Sequence, residues 1–115
     1  MNISLNGYGE QVATFEAETG VVPGIPVKMT GNGLVGAGQA QDEFCGVAVS
    51  VRGGFAAVQL RGYVTVPYSG TAPAAGYRFL SCDGNGGVRV QAESTGRSLL
   101  VTDADVTAQT CGIIL

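Results

Sequence analysis

Apolar and polar residues alternate along much of this chain, and this alternation restricts its fold more than any other feature. In the segment Gln11–Glu18, one face carries three apolar side chains, Ala13, Phe15 and Ala17. Successive side chains of a β-strand point to opposite faces, so this pattern predicts a strand with one buried face. The chain also has 19 glycines in 115 residues, and each glycine inside a helix costs about 1 kcal/mol relative to alanine. Long helices are therefore disfavoured.

The same pattern predicts nine short strands separated by turn residues. These are Gln11–Glu18, Pro26–Met29, Leu34–Val35, Gly46–Val51, Phe55–Tyr68, Tyr77–Cys82, Val88–Gln91, Ser98–Thr102 and Thr110–Leu115. Only Asp103–Gln109 has a pattern that could form a helical turn. Strands that recur every 8–12 residues or so are typical of small barrels and sandwiches. We therefore predict an all-β, single-domain barrel or sandwich of short antiparallel strands over residues 11–115, with residues 1–10 as an N-terminal arm.

Two segments give more detailed predictions. In Gly46–Val51 the alternation places Val47, Val49 and Val51 on one face. The alternation in Phe55–Tyr68 is longer than a usual strand, and Gly62 in its middle predicts a kink where the strand bends to close a barrel. The opposite face of this segment carries Gln59, Arg61, Tyr63 and Thr65 and is polar enough to face water or a partner.

Charge and hydropathy exclude several classes of function. The formal net charge is −3, and the six basic residues are scattered singly along the sequence. Nucleic-acid binding needs clustered cations, so we expect no nucleic-acid partner. No apolar stretch approaches the length of a membrane span, and the N-terminus has no signal-peptide pattern. We expect a protein that is made in a cytoplasm and does not bind membranes.

Enzymatic function is disfavoured because the chain has no histidine. Histidine-dependent nucleophile systems and the commonest zinc ligand are therefore missing. The three cysteines, Cys45, Cys82 and Cys111, are widely spaced in sequence and are interpreted as small buried thiols. We predict no catalytic residues, no metal site and no cofactor.

Three short motifs could suggest ligand chemistry, but each has a simpler structural explanation. Gly31–Gly36 spells GxGxxG, yet no helical pattern follows it, so a hairpin turn is the better interpretation. Asp83–Gly87 starts like a calcium loop but has Ser94 at the twelfth position, where a bidentate glutamate belongs, so we interpret it as a turn. Asp103 and Asp105 are two residues apart, and without supporting residues they are interpreted as parts of a solvated loop.

Aromatic and apolar residues outside these motifs leave two alternatives open. The aromatic residues are as compatible with a protein interface as with the core; they are Phe55, Tyr63, Tyr68, Tyr77 and Phe79. Ile3, Leu5 and Tyr8 lie in a terminus without strand patterning, where they could dock on a partner as an added strand. Packing of these three residues onto their own barrel is the alternative.

Seven short segments occur in an order that resembles the capsid decoration (cement, head-stabilising) proteins of tailed bacteriophages and prophages. The resemblance spans roughly residues 20–115. Its segments are Gly24–Val27, Phe44–Ala48, Gly53–Gly54, Val58–Gly62, Tyr63–Pro67, Pro73–Tyr77 and Gly112–Leu115. Each segment is short and rich in glycine and valine, so the resemblance depends on their order.

The resemblance implies a compact β-barrel that binds the outside of an assembled phage head, commonly as a homotrimer at three-fold or quasi-three-fold positions. The partner would be the major capsid protein, and the protein would be located on the outer capsid surface of the virion. Family members often attach through an N-terminal arm, which would give that role to residues 1–10, with Ile3, Leu5 and Tyr8 at the capsid interface. The alternative is a small β-sheet module of a phage tail or cell surface that binds a receptor or carbohydrate.

Overall fold

The computed structural model describes residues 10–91 and 97–115, which contain ten short strands and no helix. The strands, in chain order, are β1 (Gln11–Ala17), β2 (Pro26–Gly31), β3 (Leu34–Ala37), β4 (Gly46–Arg52), β5 (Phe55–Arg61), β6 (Tyr63–Pro67), β7 (Gly76–Cys82), β8 (Val88–Val90), β9 (Arg97–Asp105) and β10 (Thr110–Ile114). The predicted all-β fold class is confirmed. Ile3, Leu5 and Tyr8, and with them all of the predicted arm except residue 10, lie outside the described residues.

The first five strands form a closed barrel in the order β1-β3-β2-β4-β5, with β5 pairing back onto β1. Its pairs are antiparallel except that of β1 with β3, which is parallel. The hairpin β2–β3 turns within Gly31–Gly36, where a hairpin turn was predicted, and the hairpin β4–β5 turns at Gly53–Gly54. The barrel core consists of small and branched apolar side chains, chiefly Val21, Val27, Val35, Ala48, Ala56 and Val58.

The last five strands form a second sheet in the order β6-β10-β9-β7-β8. A bridge between Tyr68 and Val88, with a 2.9 Å hydrogen bond from the Ser69 amide to the Val88 carbonyl, brings β8 back beside the end of β6. The sheet therefore curls around its own core. The core side chains from this half are Val66, Tyr68, Leu80, Cys82, Val88, Leu99, Val101, Cys111 and Ile113.

The chain passes from the barrel into the second sheet at Gly62. This residue is buried and has a φ of +97°, a conformation that only glycine adopts without strain. The side-chain amide of Gln59 donates hydrogen bonds to the carbonyls of Arg61 (3.1 Å) and Tyr63 (2.9 Å), on either side of the bend. Gln59 is buried, so the expectation that its side chain faces water or a partner is wrong, whereas Arg61 and Thr65 of the same predicted face are exposed. The predicted kink is present, but it separates two strands that belong to different sheets.

The loop 38–45 joins the two halves. It exchanges two backbone hydrogen bonds of 2.9 Å with Cys82, from the Gln41 amide to the Cys82 carbonyl and from the Cys82 amide to the Asp42 carbonyl. At Gly38 the loop lies so close to the Cys82 side chain that a Cβ at that position would overlap the sulfur atom. Phe44, at the end of the loop, inserts its ring into the core of the second sheet. The radius of gyration is 13.2 Å, close to the value of about 13 Å expected for one domain of this size.

A β-bulge in β4 overturns the predicted face of that strand. The register with β5 shifts between Ala48 and Ser50, so Val49 is an extra residue. One extra residue reverses the side-chain alternation beyond it. Val47 consequently points into the second core, Val49 lies exposed, and Val51 packs on the barrel core.

The prediction of a helical turn over Asp103–Gln109 is also wrong. Residues up to Asp105 continue β9, which pairs with β10 from Leu100 to Asp105. The turn that follows is held by the Asp105 carboxylate, which accepts hydrogen bonds from the amides of Thr107 (3.0 Å) and Ala108 (3.1 Å).

Substituting Gly62 with valine should destabilise the protein by about 1–3 kcal/mol, because a branched side chain is strained at a positive φ. Gly62→Ala should cost part of this, since any Cβ meets the same strain. Chemical denaturation monitored by circular dichroism measures the loss. The control is Gly31→Ala, whose Cβ meets only ordinary contacts; equal midpoints for the Gly62 variants and wild type would contradict the strain.

Replacing Gln59 with leucine should cost about 1–3 kcal/mol, because two carbonyls at the partly buried bend would lose their hydrogen-bond donor. Gln11→Leu, at an exposed position of β1, is the matched control and should change stability by less than about 0.5 kcal/mol. Equal unfolding free energies for the two variants would show that the Gln59 amide does not support the bend.

Candidate interaction surface

A shallow cleft of about 450 Å³ opens where β2, the loop 38–45 and the start of β9 meet. It is lined by Lys28, Met29, Asp42, Glu43, Phe44, Cys45 and Arg97. The cleft contains both charge signs and a thiol, so its chemistry must be judged from the partners of each group.

The ionic groups in the cleft are largely engaged with the protein itself. Lys28 Nζ lies 2.6 Å from Asp42 Oδ2, and the same carboxylate oxygen accepts a 2.9 Å hydrogen bond from the Gln39 amide. Arg97 donates to the carbonyls of Phe44 and Cys45, at 3.4 Å each, and its guanidinium lies 5.6 Å from the centre of the Phe44 ring. Burial lowers the pKa of Arg97. These contacts hold the loop 38–45 in place, so we assign the cleft a structural role.

The three cysteines are poor nucleophiles in this fold. Cys82 and Cys111 are buried, as predicted, and burial raises the pKa of each thiol to about 11. Cys45 is only half-buried, because it lies at the rim of the cleft, so the prediction of a buried thiol is wrong for this residue. Burial raises its pKa as well. The thiolate is the reactive form, and these environments disfavour it.

The carboxylates selected from the sequence act as local hydrogen-bond acceptors. Asp83 accepts from the amides of Asn85 (2.6 Å) and Gly87 (3.0 Å) and from the Ser69 hydroxyl, which confirms the turn. Asp103 accepts from the hydroxyls of Thr102 (2.6 Å) and Tyr63 (3.4 Å), whereas Asp105 holds the next turn. The two aspartates therefore have separate partners. Within residues 10–91 and 97–115, no three potential metal ligands come together.

The aromatic residues divide between core and surface. Tyr68 is buried, and Tyr63 and Phe79 are half-buried. Tyr77 on β7 is 69% exposed and Phe55 on β5 is 50% exposed. These two exposed rings belong to different sheets, so the sequence proximity of the aromatic residues does not indicate one shared platform.

The clearest exposed surface is the outside of the three adjacent barrel strands β1, β5 and β4, which we call the barrel face. Its residues are Val12, Thr14, Glu16, Val49, Ser50, Arg52, Phe55 and Ala57. Strand register places Glu16, Phe55 and Arg52 in one row across the three strands, and Thr14, Ala57 and Ser50 in the next. Phe55, Val12 and Val49 are each at least 41% exposed. The face thus combines exposed apolar side chains, small residues and two opposite charges.

Sequence patterns gave only part of this surface. The alternation in β1 places Val12, Thr14 and Glu16 on one side, and Phe55 was one of the aromatic residues considered for an interface. The neighbourhood of Arg52, Phe55 and Glu16 depends on barrel closure between β5 and β1, which no local pattern signals. Ile3, Leu5 and Tyr8, the residues predicted for a capsid interface, lie outside the described residues.

Comparison of the sequence with models of known protein families and with curated protein sequences gave no match. No helix among the described residues is long and apolar enough to cross a membrane. The functional argument therefore depends on the geometry described above and on the motif order of the sequence.

Acid should weaken the contacts that hold the loop 38–45 and the turn after β7. The hydrogen bond from Lys28, and then that from the Gln39 amide, lower the pKa of Asp42. Burial raises the pKa of Asp83, but its hydrogen bonds from Ser69, Asn85 and Gly87 outweigh burial and lower it overall. A depressed pKa stabilises the fold above the unfolded-state value and loses that effect as pH falls. We expect the unfolding free energy to decrease below about pH 4.

The double variant Asp42→Asn/Asp83→Asn should show a smaller decrease in the same acid range, when denaturant unfolding is measured at a series of pH values. The control Glu10→Gln/Glu16→Gln removes two carboxylates that form no ion pair with the described residues. If the two double variants have the same pH profile, Asp42 and Asp83 do not account for the acid sensitivity.

Proposed function

We propose that this chain is a structural capsid decoration protein that binds the outer surface of a phage head and stabilises contacts between major capsid protein subunits. The observation that carries the proposal is the order of the seven sequence segments that resemble this family. In this proposal the protein uses no cofactor and performs no catalysis.

The positions of these segments in the fold support the resemblance. Phe44–Ala48 supplies the ring and the strand that join the two halves, and Val58–Gly62 contains Gln59 and the bend. Tyr63–Pro67 is β6, and Gly112–Leu115 contains the end of β10 and Leu115, whose backbone amide donates a 2.9 Å hydrogen bond to the Gly62 carbonyl. The resembling residues thus include those that connect barrel and sheet, where a shared fold would constrain the sequence most.

The physical properties of the chain suit a role on the outside of a capsid. Its net charge of −3 suits a surface that faces solvent rather than packaged DNA. Binding at many equivalent lattice positions allows modest contacts per copy to reinforce the whole shell through multivalency. We propose a homotrimer at three-fold or quasi-three-fold positions of the head, with Ile3, Leu5 and Tyr8 in contact with the capsid.

A receptor- or carbohydrate-binding module is the second candidate, and the exposed ring of Tyr77 is the observation in its favour. Carbohydrate sites usually place such a ring in a groove beside polar groups. Among the residues that line the cleft beside the loop 38–45, the aromatic one is Phe44, which is buried. A second cleft of about 310 Å³ is lined by Ser69, Gly70, Thr71, Arg89 and Val90, none of them aromatic. Tyr77 lines neither cleft, so decoration of a capsid is the better proposal.

The direct test mixes purified protein with undecorated heads of the phage or prophage that encodes it, followed by cryo-electron microscopy. We expect density for three clustered copies on the outer surface at three-fold positions. Isolated monomers on the lattice would contradict the trimer, and heads without added density would contradict the function. Binding to a glycan array, combined with bare heads, would favour the second candidate.

Deletion of residues 1–10 should leave the fold intact and reduce the occupancy of heads, because the proposed apolar contacts would be lost. A sharper version replaces Ile3, Leu5 and Tyr8 with serine in the full chain. The control is Val22→Ser/Val106→Ser, at two positions that are 51% and 69% exposed. Co-sedimentation with heads measures occupancy, and wild-type occupancy by the triple variant would exclude the capsid role of these three residues.

A further inference from the structure

The barrel face is complementary to itself. Its central strand β5 carries Phe55 and Ala57, and the flanking strands carry acidic Glu16 on one side and basic Arg52 on the other. Both charged residues are exposed, and neither forms an ion pair with the described residues. The next row repeats this arrangement with two short hydroxyl side chains, Thr14 and Ser50, on either side of Ala57.

A two-fold axis that runs parallel to β5, in the plane between two such faces, keeps each row opposite itself and exchanges its two ends. Phe55 then faces Phe55 of the second copy, and Glu16 faces Arg52. In the next row, Thr14 faces Ser50 across a pair of small Ala57 side chains. Every member of the two rows therefore meets a side chain of suitable size or charge, as a symmetric interface requires.

We propose that two copies of this chain associate through the barrel face about this two-fold axis. The paired Phe55 rings form the apolar centre, and two Glu16–Arg52 ion pairs flank it. Sheets that pack face to face lie about 10 Å apart, a separation that one layer of side chains from each copy fills. The small side chains of Thr14, Ser50 and Ala57 allow this approach beside the rings.

The small size of the face favours a weak association. Three strands about 4.8 Å apart and a few residues long give a contact well below the roughly 800 Å² per partner of a standard interface. The dimer should therefore be weak, visible at high protein concentration and more stable at low salt, because salt screens exposed ion pairs. This association does not depend on the proposed capsid function and is measured without heads.

Sedimentation velocity of the full chain over micromolar to millimolar concentrations tests the proposal. We expect a concentration-dependent dimer that weakens as salt is added. Phe55→Ser should raise the dissociation constant about tenfold or more, as loss of a central interface residue typically does. A chain that stays monomeric at all concentrations, or an oligomer that Phe55→Ser leaves unchanged, would overturn it.

Exchanging the charges of Glu16 and Arg52 separates loss of the ion pairs from loss of the fold, because a destabilised fold would not recover dimerisation in the double variant. Glu16→Arg alone and Arg52→Glu alone each place like charges opposite one another and should abolish the dimer. The double variant Glu16→Arg/Arg52→Glu restores opposite charges across the axis and should recover it. Arg89→Glu, at an exposed position on β8, is the control and should dimerise like wild type. Failure of the double variant to recover association, with a normal circular dichroism spectrum, would exclude the pairing.

Discussion

The chain leaves the barrel and enters the second sheet at one buried residue, Gly62, and the position of each half relative to the other depends on that crossing. The backbone turns at a positive φ, and the Gln59 amide supplies hydrogen bonds to the carbonyls on both sides of the turn. The backbone amide of Leu115 donates a further hydrogen bond to the Gly62 carbonyl. Gln59 is itself buried, and its amide needs hydrogen-bond acceptors there. The two carbonyls beside the bend supply them, so the polar side chain and the bend support one another.

The loop 38–45 also holds the two halves together. Phe44 places its ring in the second core, Arg97 covers that ring, and Cys82 exchanges backbone hydrogen bonds with the loop. The three cysteines are free thiols, so these contacts hold the halves together without a disulfide. Polar groups are well matched, since no buried side-chain nitrogen or oxygen among the described residues lacks a hydrogen-bond partner. A single body of this kind suits a protein proposed to bear load on a shell.

Closure of the barrel also decides which surface remains for other molecules. The inward side chains of β1, β5 and β4 pack in the barrel core. On the outer side of these strands, Phe55, Val12 and Val49 are exposed to solvent. The cleft beside the loop 38–45 contains more ionisable groups than the barrel face, but most of them already have partners within the protein. Lys28 pairs with Asp42, and Arg97 donates hydrogen bonds to two backbone carbonyls. The dimer proposed above therefore uses an exposed sheet face rather than a pocket.

The sequence by itself determined the all-β class, most strand positions, the hairpin turns and the kink at Gly62, because alternation and turn residues are local signals. Only the tertiary structure decided that the kink separates two sheets, that Gln59 is buried and that Val47 and Val49 differ in environment. A bulge reverses alternation without changing composition, and the partner of a buried polar group lies in the folded chain. The row of Glu16, Phe55 and Arg52 likewise exists because β5 pairs with both β1 and β4, and pairing between distant segments leaves no trace in either segment alone.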